Sequence, residues 1–221
     1  MDSDTQLLQR VRVKMCGTTR LEDARAAMGY GVDALGFIFY SKSPRYIAPE
    51  KVVTIVRNLP PFIDRVGVFV NAPQTEVVRA AGCGLTYLQL HGDESVEYCC
   101  AIREMLPFCG VIKAFRVSEK STAEEFERYN DCVDAFLLDT YVESESGGTG
   151  KVFDWSIIES LNLQRPLILA GGLAPENVAG ALAAVRPYAV DINSGIEVEP
   201  GVKDHGRLKT LMQVVAQHAC R

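Results

Sequence analysis

Short apolar runs rich in β-formers alternate along the chain with stretches whose apolar residues recur at helical spacing. The apolar runs are VRVKMC (11–16), DALGFIF (33–39), RVGVFV (65–70), YLQLH (87–91), GVIKAF (110–115), DAFLLD (134–139), PLILAG (166–171) and AVDINS (189–194). Between and after them lie LEDARAAMGYG (21–31), PEKVVTIVRNL (49–59), APQTEVVRAAG (72–82), SVEYCCAIREML (95–106), TAEEFERYN (122–130), FDWSIIESLN (153–162), PENVAGALAAV (175–185) and RLKTLMQVVA (207–216). Strand followed by helix, repeated, is the pattern of βα units on a parallel sheet. Eight such units in 221 residues favour a closed barrel over an open doubly wound sheet. No linker or change of composition divides the chain. The expectation is therefore an α/β fold, a single-domain (β/α)8 TIM barrel with parallel strands over residues 1–221.

In such barrels the loops that follow the strands converge on one mouth, so the chemistry collects at the C-terminal strand ends. Those ends carry Cys16, the segment 41–45 with Arg45, Asn71, His91 with Asp93, Arg116, Asp139, Gly171 with Gly172, and Asn193 to Gly195. The pattern is a polar ring on an apolar barrel.

Composition narrows the function classes. Hydrophobic residues make up 48% and charged residues 23%, ordinary for a packed globular chain. A net charge of -5 leaves no basic excess for a nucleic-acid backbone, so any phosphate site must be local. No apolar run approaches the ~18 residues of a membrane span, and MDSDTQLLQR lacks the basic and apolar regions of a secretory signal. No membrane contact and a cytoplasmic location are expected. The 7 cysteines are odd in number and scattered, so reduced thiols are the default. None is spaced C-x-x-C, and only His91, His205 and His218 could join them. No metal is expected.

Alternate strand residues share a face, so Lys14 and Cys16 point the same way, about 6.6 Å apart along the strand. If that face is the barrel interior, the cation favours the thiolate and makes Cys16 a usable base or nucleophile. The alternative is a small buried hydrophobe, which is what most free cysteines are. Asp139 is the only ionisable tip of DAFLLD that faces the mouth, and apolar neighbours would raise its pKa toward that of a general acid. Its alternative is a capping or ion-paired carboxylate. Gly171 and Gly172 follow strand seven, while Ser194 and Gly195 follow strand eight, where this fold cradles phosphate on backbone N–H groups. Arg45 in SKSPRYI offers a planar fork for a carboxylate. Gln89 and His91 share a strand face and are expected at the mouth. The stretch SESGGTGKVFDW (144–155) fails as a Walker loop, because Glu145 stands at the first glycine position and Val152 follows the lysine. It is expected to be a glycine-rich flap after strand six.

Together KMCG, GFIFYSKSPRYI, VGVFVN, LQLHGDE, LLDT, GGTGKVFDW, AGGLAPENV and DINSGIEVEPGVKD resemble the phosphoribosylanthranilate isomerases of tryptophan biosynthesis, from about Val13 to Asp204. The departures are Met15, where an aliphatic Ile or Val is usual, and the acidic ESES before the glycine loop. The resemblance implies a cofactor-free Amadori rearrangement of an aminoaldose into a 1-deoxyribulose ketose. It implies Asp139 as the general acid that opens the furanose ring and Cys16 as the general base that takes the C2 proton. Arg45 would meet the anthranilate carboxylate, Gly172, Ser194 and Gly195 the phosphate, and Lys14 would tune Cys16. Gln89, His91, Gly171 and Asn193 complete the expected substrate-binding set. The expected partner is a small phosphosugar, bound by a monomer or homodimer. Two competing readings are another phosphosugar barrel and a barrel that binds without turnover. Relatives of the first kind use carboxylate pairs or a catalytic lysine where this chain has Cys16, and the second would be expected to have lost Cys16 or Asp139.

Overall fold

A computed structural model of the chain describes residues 10–118, 120–139 and 156–218. Eight parallel strands close into a barrel: β1 (Arg12–Met15), β2 (Ala34–Ile38), β3 (Asp64–Phe69), β4 (Tyr87–Leu90), β5 (Gly110–Arg116), β6 (Ala135–Asp139), β7 (Leu167–Ala170) and β8 (Ala189–Ile192). Closure is made by β8 on β1, with Arg12 opposite Ala189 and Met15 opposite Ile192. The helices are α1 (Leu21–Gly29), α2 (Pro49–Val56), α3 (Gln74–Ala81), α4 (Val96–Met105), α5 (Ala123–Glu127), α6 (Ser156–Ser160), α7 (Val178–Val185) and α8 (His205–His218).

Most strands are a residue or two shorter than their apolar runs. Asp33 and Asp134 stand just before β2 and β6, and their carboxylates accept the N–H groups of Val13 and Val111 at 2.8 Å each. Their own N–H groups also donate back to Val13 O at 2.9 Å and Val111 O at 2.8 Å, so each aspartate ties the start of its strand to the neighbour twice. At the other end Cys16 lies one residue past β1, yet its N–H still donates to Ile192 O at 2.9 Å. Its direction is thus inherited from the strand. Helix α8 begins at His205 rather than 207, because Asp204 Oδ1 accepts from the N–H groups of Gly206 and Arg207, a side-chain N-cap.

The period of two along the strands sorts side chains into two cores. Val66, Ile112, Ala114, Ala135, Leu137, Ile168, Ala170 and Ala189 pack within the barrel. Met15, Leu35, Phe37, Leu88, Leu90, Phe136, Leu138 and Val190 belong to the larger layer beneath the helices. Lys14, Gln89 and Asp191 fall on the same parity as the inner set and are buried. Polar side chains therefore occupy part of a lumen that barrels of this kind usually fill with branched apolar residues.

Two features depart from the sequence expectation. A short antiparallel hairpin, β9 (Glu197–Glu199) and β10 (Val202–Lys203), follows β8. And Cys100 on α4 is paired in a disulfide with Cys132, just before β6, with Cα atoms 4.7 Å apart, so not every thiol is reduced. Among the described residues no helix is long and apolar enough to cross a membrane. The glycine-rich stretch 144–155 lies outside the described residues.

Candidate active site

Lys14 and Cys16 share the inner face, as the strand period requires. A Cβ placed on Gly36 of the adjacent strand would meet Cys16 Sγ at 3.0 Å and Lys14 Nζ at 3.1 Å, so only glycine lets β2 approach this pair. Lys14 Nζ donates to Asp191 Oδ1 on β8 at 2.9 Å, with both side chains buried. Burial opposes the lysine's charge, but Asp191 and Cys16 hold its pKa above the usual value.

Lys14 does favour the Cys16 thiolate, as their shared face implies, but it does not prevail. Burial pushes the Cys16 pKa up, and this outweighs the lowering by Lys14 and Lys203, while Asp191 pushes upward as well. Lys14 is already neutralised by Asp191, so it cannot hold a thiolate against desolvation. At rest Cys16 is a thiol. A cationic reaction intermediate beside it would shift the balance, because a neighbouring positive charge favours the thiolate.

The opposite side of the mouth is wetter. Asp139 ends β6 with its side chain 24% exposed, so it is less desolvated than the apolar run before it suggests; its tip projects past the last packed layer. His91, which follows β4, places Nε2 3.8 Å from Asp139 Oδ2. Its Nδ1 is 2.8 Å from Nε2 of Gln89, two residues earlier on the same face. As that amide is placed, Gln89 donates to Nδ1, and the imidazole then directs an Nε2–H toward the carboxylate. Gln89 Oε1 is buried without a hydrogen-bond partner among the described residues.

These two sides line one cavity of about 300 Å³, a size suited to a small ligand. Cys16, Gln89, His91 and Asp139 contribute to its wall, and Gly171, Gly172, Asn193 and Ser194 supply another part. Gly172 has φ +60°, with open space where a Cβ would be. Its carbonyl accepts from Asn177 Nδ2, and Asn177 Oδ1 accepts from Ala174 N–H, which fixes the turn after β7. Gly195 stands one step back from the wall. A Cβ there would collide with the Leu173 carbonyl, so this glycine lets the loops after β7 and β8 touch. Lys14 lies beneath Cys16, and Arg45 sits beside Gly17 rather than in the cavity wall.

Three residues of this mouth escape sequence reasoning: Asp191, Glu197 and Lys203. Arg45 is held by Glu197, with Nε 3.0 Å from both carboxylate oxygens and Nη2 2.6 Å from Oε2. Lys203 Nζ reaches the same carboxylate at 2.8 Å and Asn193 Oδ1 at 2.9 Å. Burial works against the Glu197 carboxylate, yet Arg45 and Lys203 hold its pKa below the ordinary value. Burial lowers the Lys203 pKa, against the attraction of Glu197. The signal for the hairpin was present in VEPGVK, two short runs about a Pro-Gly turn. The Lys14–Asp191 pair was not readable, since it joins the first strand to the last.

A family model described as N-(5'phosphoribosyl)anthranilate (PRA) isomerase matches residues 13–214. An N-(5'-phosphoribosyl)anthranilate isomerase of Citrifermentans bemidjiense is 48% identical over 202 residues, covering 91% of this chain and 95% of that protein. The crystal structure of phosphoribosyl anthranilate isomerase from Thermotoga maritima superposes with a TM-score of 0.81 at 45% identity, over 94% of this chain and 99% of that one. A third relative is a phosphoribosyl anthranilate isomerase in complex with reduced 1-(o-carboxyphenylamino)-1-deoxyribulose 5-phosphate. It gives a TM-score of 0.79 at 42% identity, over 94% and 99% of the two chains.

Proposed function

The chain belongs to the phosphoribosylanthranilate isomerase family of tryptophan biosynthesis, and on that premise we propose that Asp139 and Cys16 carry its Amadori rearrangement as general acid and general base. Asp139 donates a proton to the furanose ring oxygen. The bond from that oxygen to C1 breaks, and the anilino nitrogen supplies the electron pair that forms a cationic Schiff base. Cys16, having released its own proton to solvent, then takes as thiolate the proton from C2, whose electrons flow into the cation to give an enolamine, and tautomerisation yields the ketose.

The observation that carries this reading is the shared cavity, which sets a buried thiol across from a carboxylate. The resting thiol state fits the order of events. A base whose conjugate acid has a raised pKa is scarce but strong, and ring opening places a cation next to it just before it is needed. The glycine-bearing loops after β7 and β8 supply backbone suited to the phosphate, by Gly171, Gly172, Ser194 and Gly195. Arg45 supplies the charge for the anthranilate carboxylate. Asn193, Gln89 and His91 complete the substrate shell, and Lys14 supports Cys16 from below. We read residues 1–221 as one domain and place the enzyme in the cytoplasm, where the free thiols of Cys16, Cys83, Cys99 and Cys109 would persist and the Cys100–Cys132 bond would be exposed to reduction.

The direct test follows the fluorescence of freshly made phosphoribosylanthranilate on adding protein in EDTA. Rapid decay is expected with the unaltered chain and little with Cys16→Ala. Full-rate decay by Cys16→Ala would remove the base assignment. Loss of phosphate affinity alone in Asp139→Asn, with turnover retained, would make Asp139 structural.

A further inference from the structure

The hairpin after β8 does more than close the fold. Its Glu197 carboxylate is buried, with a side chain 4% exposed, and it is ringed by donors. Oε1 accepts from Lys203 Nζ at 2.8 Å, from Gly201 N–H at 3.1 Å and from Arg45 Nε at 3.0 Å, and Oε2 accepts from Arg45 Nε and Nη2. The turn that carries Gly201 is itself anchored across the mouth, since Thr19 Oγ1 donates to Gly201 O at 2.5 Å. Arg45 comes from the other side, in the loop after β2. One carboxylate thus spans the loops after β2 and β8 directly above the loop that follows Cys16.

A guanidinium has two edges that can meet a carboxylate: the side edge of Nε with Nη2, and the end edge of Nη1 with Nη2. Glu197 takes the side edge. The planar group is thereby fixed, and its end edge is directed away from Glu197. Two cations, Arg45 and Lys203, surround this single carboxylate, so the cluster keeps an excess positive charge. Arg45 also lies against Gly17, since a Cβ there would come within 2.8 Å of Arg45 Cδ. Gly17 directly follows Cys16, so Arg45 sits beside the loop that carries the proposed base.

We propose that Glu197 is the positioning residue that presents the end edge of Arg45 to the carboxylate of the substrate's aryl amine, with Lys203 supplying the charge that makes the cluster prefer an anion. The proposal rests on the assignment of Arg45 to that carboxylate. An Arg45 without Glu197 keeps its charge but loses its orientation, and a loose arginine gives up part of a bidentate contact to rotamer entropy. The consequence is selectivity: the clamp matters for an N-aryl substrate bearing an ortho carboxylate and not for one that lacks it.

The experiment compares phosphoribosylanthranilate with the corresponding phosphoribosyl derivative of aniline, which has no carboxylate. For Arg45→Ala the KM for the carboxylated substrate should rise by roughly 10²-fold, and for Glu197→Gln by about tenfold, as lost charged hydrogen bonds do. In both variants kcat should stay within a few-fold, and the KM for the aniline derivative should not move. Glu197→Asp, which keeps the charge on a shorter arm, should recover part of the loss. Thermal melting of each variant separates folding from selectivity. If Arg45→Ala leaves the discrimination intact, the assignment beneath the proposal is wrong. If Arg45→Ala abolishes it while Glu197→Gln matches the parent, or shifts both substrates equally, the positioning role is overturned and Arg45 keeps its own.

Discussion

The two sides of the barrel mouth solve opposite problems. On the β1 and β8 side Cys16 is 5% exposed and sits among Lys14, Asp191 and Lys203, a dry cluster of paired charges. On the β4 and β6 side Asp139 is 24% exposed with His91 beside it, at the edge of water. A base that must strip a carbon-bound proton gains from desolvation, which makes its conjugate acid weaker. An acid that must be recharged each turnover gains from access to solvent. The contrast teaches that the two proposed proton-transfer groups are set in different solvents, the thiol in a dry cluster and the carboxylate near water.

The largest effect should come from deleting the groups themselves. Cys16→Ala and Asp139→Asn should each lower kcat by about 10² to 10⁴, the range for a general base or acid. Neither should cost much stability. Cys16→Ala removes a small buried side chain and should leave the melting temperature nearly unchanged, and Asp139→Asn should do the same because its tip is solvated. Single-turnover kinetics sharpen the contrast: ring opening should persist in Cys16→Ala and stall in Asp139→Asn. Ring opening that stalls equally in both would abolish the division of labour.

Next in size is the support beneath the thiol. Replacing Lys14 by Met leaves Asp191 buried and unpaired at 8% exposure, and stripping one partner from a buried pair costs about 3 to 5 kcal/mol. Urea unfolding of Lys14→Met should show a loss of that order, and the double variant Lys14→Met, Asp191→Leu should regain much of it. Equivalent loss in Arg103→Ala, whose partner Asp134 lies at the half-exposed barrel base, would contradict the argument, because surface pairs contribute about 1 kcal/mol or less.

How much of this was legible beforehand follows the range of each interaction. The alternation of strand and helix, the count of eight and the strand ends Cys16, His91 and Asp139 all depend on neighbours within a few residues, and each was readable. Even the shared face of Lys14 and Cys16 followed from the period of two. The charge state of Cys16 did not, because it is decided first by burial in the closed barrel and then by Lys14 and Asp191, the latter 175 residues further along the chain. Arg45 was readable as a planar cation at a strand end, but its tether to Glu197 crosses from the second loop to the last. Local chemistry is written in short patterns, while its tuning comes from barrel closure.

The pH dependence tests the dry side through the thiol. With the Cys16 pKa raised above its ordinary value, the thiolate fraction at neutral pH is small and grows about tenfold per pH unit. kcat/KM should therefore climb with that slope from pH 7 upward and bend only above the usual thiol range. Folding stability runs the other way. The raised pKa means that the folded state holds this proton more tightly than the unfolded chain does. Its contribution is fully present below the unfolded thiol pKa and is lost as pH rises through the folded value. A plateau in kcat/KM already at pH 7 would show that Lys14 and Lys203 prevail over burial.

The smallest effect lies on the proposed phosphate side, between the two halves. Gly172→Ala meets no atom within 4 Å, so its cost is confined to the backbone at φ +60°. A left-handed residue with a Cβ costs about 1 kcal/mol or slightly more, and denaturant midpoints should shift by that amount. Gly195→Ala differs in kind, because its Cβ would collide with the Leu173 carbonyl and must separate the loops after β7 and β8. The proposed proton-transfer groups stand elsewhere on the wall, so Gly195→Ala should raise KM severalfold while kcat changes less. A drop in kcat with KM unchanged would mean that these loops shape the reacting geometry rather than the grip on phosphate, and that the two sides of the mouth are coupled through them.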